Sequence, residues 1–195
     1  MYDHYDLGIN TTTYVKDFYQ ILDNMIYGMC NAELSNSISY NFIVQMIPHH
    51  RAAIEMSSEI LKYTTNPTLQ DIACNIIKAQ TKSIKSMLDA LNCCKNVTNY
   101  KEELYQYQSK MNQIMQNMFE NMSHAAVTNN VSMDYILEMI PHHEGAVQMC
   151  TLTLQYLICP ELKPILQSII TLQKRGIKQL EDLLQTLEQS GYSCE

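Results

Sequence analysis

The chain has 195 residues, 46% of them hydrophobic, enough for one large domain or two small ones around a substantial core. A net charge of −7 without any Lys/Arg cluster argues against a nucleic-acid backbone or an anionic membrane surface as partner. No apolar run approaches the roughly 18 residues of a spanning helix, so no membrane insertion is expected. The opening MYDHYDLGIN lacks the basic and apolar regions of a secretory leader. The expectation is a cytoplasmic or spore-associated protein, or a periplasmic or extracellular one whose leader is not part of this sequence.

Five glycines and five prolines are few breakers, and the apolar spacing is helical throughout, with no period-two stretch. The first helix is predicted over roughly 12–30, with Phe18, Leu22, Met25 and Met29 on one stripe. The second, over roughly 38–63, opens after Ser37 as N-cap and contains QMIPHHRAAIEM, residues 45–56. The third, over roughly 67–92, restarts at Asn66-Pro67, because proline suits the first helical position. The polar NCCKNVTNY of residues 92–100 joins the halves. The fourth helix, roughly 100–123, carries the stripe Met111, Met115, Met118 and Met122. The fifth, roughly 132–157, has Ser132 as its expected N-cap and contains EMIPHHEGAVQM, residues 138–149. The sixth, roughly 161–189, follows the turn at Cys159-Pro160.

Sliding the chain against itself by 93 residues superimposes the two MIPHH motifs. It also aligns Asn24-Met25 with Asn117-Met118, Met29 with Met122, Ala53 with Ala146, Met56 with Met149 and Gln80 with Gln173. The chain is read as an internal duplication. Residues 1–95 and 96–195 are the two units, three helices each, packed as one all-α bundle about a pseudo-twofold axis.

Residues three, four and seven apart share a helix face, with β-carbons about 5–6 Å apart. Met46, His49, Ala53 and Met56 therefore form one stripe, and Met139, His142, Ala146 and Met149 its twin. His50 and His143 point about 100° away, toward a neighbouring helix or the edge of the site. Pro48 and Pro141 remove the hydrogen bonds to the carbonyls of Val44 and Leu137, a kink that either wraps the helix around the core or aims the imidazoles. The Met25/Met29 and Met118/Met122 stripes, packed on the motif helices, would bring thioether sulfurs toward these rings. Thioether with imidazole selects Cu(I), and by the same argument Ag(I), over hard cations.

A di-iron bundle wants Glu-x-x-His, whereas the residue three before each first histidine is Met46 or Met139. Glu55, Glu138 and Glu144 do not restore that pattern. His4 and His124 are unpaired and are assigned to the surface. The seven cysteines form no CxxC; buried thiols, disulfides or inter-chain links, and metal thiolates all remain open, with Cys93, Cys94 and Cys194 the most exposed candidates.

At the residues Phe42, Met46-Ile47-Pro48-His49-His50, Ala53, Met56, Ala79-Gln80, Ile84, Met87 and Leu91 the chain resembles the domain-of-unknown-function-305 family. The second copy offers Met139 to His143, Ala146, Met149, Gln173, Ile177, Leu180 and Leu184. This is a ferritin-like helical group with a copper-binding periplasmic member, so the resemblance implies a ferritin-like bundle and copper binding. The family glutamate is Ser83 and Gly176 here, and its tryptophan is Ala90 and Leu183. The leading functional expectation is a non-catalytic Cu(I) binder for buffering, resistance or transfer. His49, Met46 and Met56 form one half-site and His142, Met139 and Met149 the other, with His50, His143, Met25, Met29, Met118 and Met122 as secondary ligands. The alternatives are a spore-coat or layer protein assembled as a homo-oligomer or through cysteine links, and a ferritin-like metal oxidase.

Overall fold

The computed structural model describes residues 7–191. Six helices follow one another: α1 (Ile9–Cys30), α2 (Ile38–Ile60), α3 (Pro67–Lys95), α4 (Lys101–Ser123), α5 (Val131–Thr153) and α6 (Leu162–Gly191). The chain is all-helical, with no strand among the described residues. None of these helices is long and apolar enough to cross a membrane.

The periodic stripes decide which faces are buried. On α1, Tyr14, Phe18, Leu22, Met25 and Met29 are buried, and on α4 the buried set is Tyr107, Met111, Met115, Met118 and Met122, spaced four, four, three and four. Helix α2 packs on α1 and α3, and α5 packs on α4 and α6. The two trios meet where α2 crosses α5 and α3 packs against α6. One hydrophobic core runs through both trios.

Caps explain most of the boundaries. Ser37 Oγ accepts from Tyr40 N at 3.3 Å, and Asn66 Oδ1 accepts from Leu69 N at 3.1 Å just ahead of Pro67. The start of α5 corrects the expectation for Ser132. The cap is Asn130, whose Oδ1 accepts from the amides of Ser132 and Met133, while Ser132 Oγ donates to Thr64 Oγ1 at 3.0 Å. Residues 92–95, expected in the connector, are the last turn of α3, so the joint between the halves shortens to residues 96–100. Both α2 and α5 continue through their internal prolines. A Cβ on Gly28 would lie 2.8 Å from Pro48 Cβ, so α1 is held tight against α2 beside the histidine pair.

Candidate metal centre

The two motif helices cross at their histidines. The rings of His49 and His142 stack with centroids 3.7 Å apart at an interplanar angle of 29°. Each also reaches across the crossing: His49 Nε2 lies 3.1 Å from the carbonyl oxygen of His142, and His142 Nε2 lies 3.1 Å from the carbonyl oxygen of His49. A carbonyl oxygen is an acceptor without a proton, so both Nε2 atoms are the N–H donors. In a neutral imidazole that leaves Nδ1 as a bare lone pair, and Nδ1 of both rings is buried with no hydrogen-bond partner. Fixing one ring nitrogen by a bond to a backbone carbonyl, so that the other presents its lone pair, is how proteins orient a histidine toward a metal.

The second histidines face outward from the crossing toward α3 and α6. His50 Nε2 lies 3.0 Å from Ser83 Oγ, and the edge of His143 lies where a Cβ on Gly176 would sit, 2.7 Å from both Cδ2 and Nε2. Nδ1 of His50 and His143 is likewise buried and unpartnered. Ser83 and Gly176 stand 93 residues apart, the same offset as the two MIPHH motifs, and each lies against the second ring of its motif. A groove of about 350 Å³ between α3 and α6 reaches His50 and His143, with Lys78, Lys82 and Arg175 among the residues that line it.

All four imidazoles are at most 2% exposed. Burial is the first cause of their low basicity: His50 is pushed down to about 3 and His142 to about 4, while His49 and His143 fall well below the ordinary value. Like-charge repulsion within the cluster adds to the effect for His49, His50 and His143. The rings are neutral at pH 7, the state a metal ligand requires.

The methionines named in the sequence are buried in the same core. Met25, Met29, Met46, Met56, Met139, Met149, Met118 and Met122 are each at most 3% exposed. The position of one sulfur is constrained directly: a Cβ on Gly145 would overlap Sδ and Cγ of Met118. Gly145 lies three residues after His142 and four before Met149, so the α4 stripe is pressed into the motif face of α5. His49 and His142 meet as a pair, but the four imidazoles make no compact set of three or more ligand atoms: among the described residues the one such group of His, Cys, Asp or Glu is Cys93, Cys94 and Cys159.

Carboxylates lie off this centre. Glu55 and Glu144 are exposed, and Glu138 accepts from Tyr14 Oη at 2.5 Å. Its carboxyl is pushed up to about 8, first by burial, with Asp134 adding and the Tyr14 bond opposing. His124 is exposed as expected, and His4 lies outside the described residues. The six described cysteines are free thiols, and Cys194 lies outside the described residues. Cys94, expected at the surface, is buried because the last turn of α3 turns it inward beneath Ser37. Ser83 and Gly176 are the site residues that the reading of the MIPHH motifs did not assign. Their signal is their register one unit apart, at the position where the family carries glutamate.

The family model described as Domain of unknown function (DUF305) matches residues 39–184. The crystal structure of a DUF305 fragment from Deinococcus radiodurans is 20% identical with a TM-score of 0.56, over 76% of this chain and 96% of that one, a likeness of fold. CopM in its Ag-bound form, obtained by soaking, is 27% identical with a TM-score of 0.58, over 78% of this chain and 98% of that one. CopM in its Cu(II)-bound form is 27% identical with a TM-score of 0.59, over 76% and 97%. No curated protein matches the chain. Since the family model covers residues 39–184, from the first turn of α2 into the second half of α6, this chain belongs to the DUF305 family.

Proposed function

We propose that the protein binds a soft metal ion, Cu(I) and by the same chemistry Ag(I), at the α2–α5 crossing, and serves to buffer, sequester or hand on that ion. The observation that carries the reading is the set of four buried, neutral imidazoles whose Nδ1 atoms have no partner, those of His49 and His142 presenting a lone pair, in a core otherwise supplied with thioether sulfur. A buried polar atom without a partner costs roughly 1–3 kcal/mol, and a bound metal ion removes that cost. Nitrogen and thioether donors without carboxylate select a polarisable monovalent ion over iron, calcium or magnesium. CopM, solved with Ag and with Cu(II), supports copper or silver binding, and the choice of the monovalent state rests on donor softness. The half-sites are His49 with Met46 and Met56, and His142 with Met139 and Met149. Met25, Met29, Met118 and Met122 are available for exchange, and His50 and His143 connect the interior with the groove. Lysine and arginine beside that groove offer a cation no electrostatic attraction, so affinity rests on donor softness.

The test reads the ring nitrogens directly. Protein labelled with ¹⁵N at histidine and ¹³C at the methionine methyls is titrated anaerobically with Cu(I). The Nδ1 resonances of His49 and His142 move, Nε2 keeps its N–H, and methionine methyl signals move with Nδ1. A variant carrying Met→Leu at 46, 56, 139 and 149 keeps the core volume and loses the response. Nδ1 signals that stay put while copper is bound remove the proposed site.

A further inference from the structure

The end of α3 and the α5–α6 connection meet at three cysteines. The Sγ atoms of Cys93, Cys94 and Cys159 lie within 4.8 Å of one another, with Cys93 and Cys159 3.8 Å apart. Cys94 and Cys159 are buried, and Cys93 is at the surface end of the group. The backbone on both sides is bolted to the start of α2. Ser37 Oγ donates to the carbonyl of Cys94 at 2.7 Å, and the amide of Cys159 donates to Ser39 Oγ at 2.8 Å. Asn99 adds a bridge, accepting from the amide of Ile38 at 3.0 Å and donating to the carbonyl of Leu157 at 2.9 Å. The thiols are thus brought together by interactions that do not involve sulfur. The group is also outside the duplication: the residues one unit away are Thr186, Leu187 and Asn66.

We infer that Cys93, Cys94 and Cys159 form a second metal site, independent of the histidine crossing, that takes a thiophilic monovalent ion of the Cu(I) class as a three-coordinate thiolate complex. Three sulfurs on a pre-set backbone match an ion content with three soft donors, whereas structural zinc sites are almost always closed by four ligands. As each sulfur–metal bond forms, one S–H bond breaks and its proton leaves. Glu161 Oε2 already accepts the Cys159 thiol proton at 2.7 Å and offers the first step of that exit. Copper enters and stays as Cu(I), so no electron is transferred. The surface position of Cys93 gives the ion a way in and lets water solvate the charge of the complex. The competing chemistry, a Cys93–Cys159 disulfide, needs a two-electron oxidant and closure of the sulfurs to about 2.05 Å.

The experiment uses the full chain, fully reduced and anaerobic, with one equivalent of Cu(I) supplied as its acetonitrile complex, followed by iodoacetamide and peptide mass spectrometry. Cys30 and Cys74 are exposed and serve as internal references. Alkylation of Cys93 is expected to slow by roughly tenfold or more on metal addition while both references keep their rates. In Cys159→Ser, checked for its fold by far-UV circular dichroism, Cys93 is intact but its protection is lost. The Met→Leu variant at 46, 56, 139 and 149 keeps the protection, so failure of the crossing site and failure of this one are read separately. Equal Cys93 rates with and without Cu(I), equal slowing at all three reference and target cysteines, protection that survives in Cys159→Ser, or protection by Zn(II) and not by Cu(I) would each overturn the proposal.

Discussion

The Nδ1 lone pairs at the crossing owe their freedom to two backbone carbonyls, because His49 and His142 each bond the main chain of the other and not its side chain. Truncating one ring therefore leaves the other with its N–H acceptor and its tautomer. The same close packing governs Gly145. Glycine in a helix interior costs about 1 kcal/mol relative to alanine, so Gly145→Ala ought to stabilise α5 on propensity alone. The added methyl, however, overlaps Sδ and Cγ of Met118 and lies 3.1 Å from its Cβ, which a rotamer change cannot move away. Overpacking of this kind costs roughly 1–3 kcal/mol, so a net loss of about 1 kcal/mol in urea unfolding is expected. An increase in stability would mean that Met118 does not press on α5. The histidine and methionine positions were legible in the sequence because helical spacing alone places them on one face. The stack of His49 on His142 was not, since it joins residues 93 apart and depends on how α2 crosses α5.

Helix ends carry a different kind of information. Asn66 caps α3 and is half-buried, whereas Ser37 both caps α2 and donates to the buried carbonyl of Cys94. Removing an ordinary cap costs about 1 kcal/mol, and losing the Ser37 bond to the Cys94 carbonyl, which keeps the amide of Val97 as donor at 3.3 Å, adds about 1 kcal/mol. Ser37→Ala is thus expected to lower the unfolding free energy by about 2 kcal/mol and Asn66→Ala by about 1 kcal/mol; equal losses in parallel denaturant titrations would show that the Cys94 bond contributes nothing. Six helices could be read from periodicity because each stripe is sustained over several turns. Their ends were read less well where two capping residues compete. At the start of α5, Asn130 and Ser132 are both suitable by type, and the tertiary bond of Ser132 to Thr64 decides in favour of Asn130. The extra turn of α3 was likewise hidden, because Asn92 to Lys95 look like connector until Ser37 and Asn99 are seen holding that segment to α2.

For the whole molecule, the buried titratable groups pull stability in opposite directions with pH. The four histidines have folded-state values below the unfolded value near 6.5, so their contribution is complete above that pH and is lost as the pH falls toward about 4 and about 3 for His142 and His50. Glu138 has the opposite sign. Its folded-state value of about 8 lies above the unfolded value near 4.5, so its contribution is present in acid and is lost as the pH rises through 8. Each proton taken up differentially is worth about 1.4 kcal/mol per pH unit. As the pH falls to about 5.5 the histidines come to outnumber the carboxyl four to one, and the net loss on acidification steepens to about 4 kcal/mol per unit, large against a typical stability of about 5–15 kcal/mol. Above about pH 7.5 the unfolded histidines have given up their protons, Glu138 alone among these groups is still changing, and stability declines by about 1 kcal/mol per unit as the pH rises toward 8. Metal-free protein should therefore show its highest thermal midpoint near pH 7, where the protons still held by the unfolded histidines balance the one held by folded Glu138, with a steep acid limb and a shallow alkaline one. Glu138→Gln removes the titrating carboxyl, so the alkaline limb flattens while the acid limb keeps its steepness. A thermal midpoint that climbs steadily from pH 5 to pH 8 in the unsubstituted chain would show that Glu138 is ionised in the fold, and a flat profile below pH 6.5 would show that the histidines are not held neutral at the crossing.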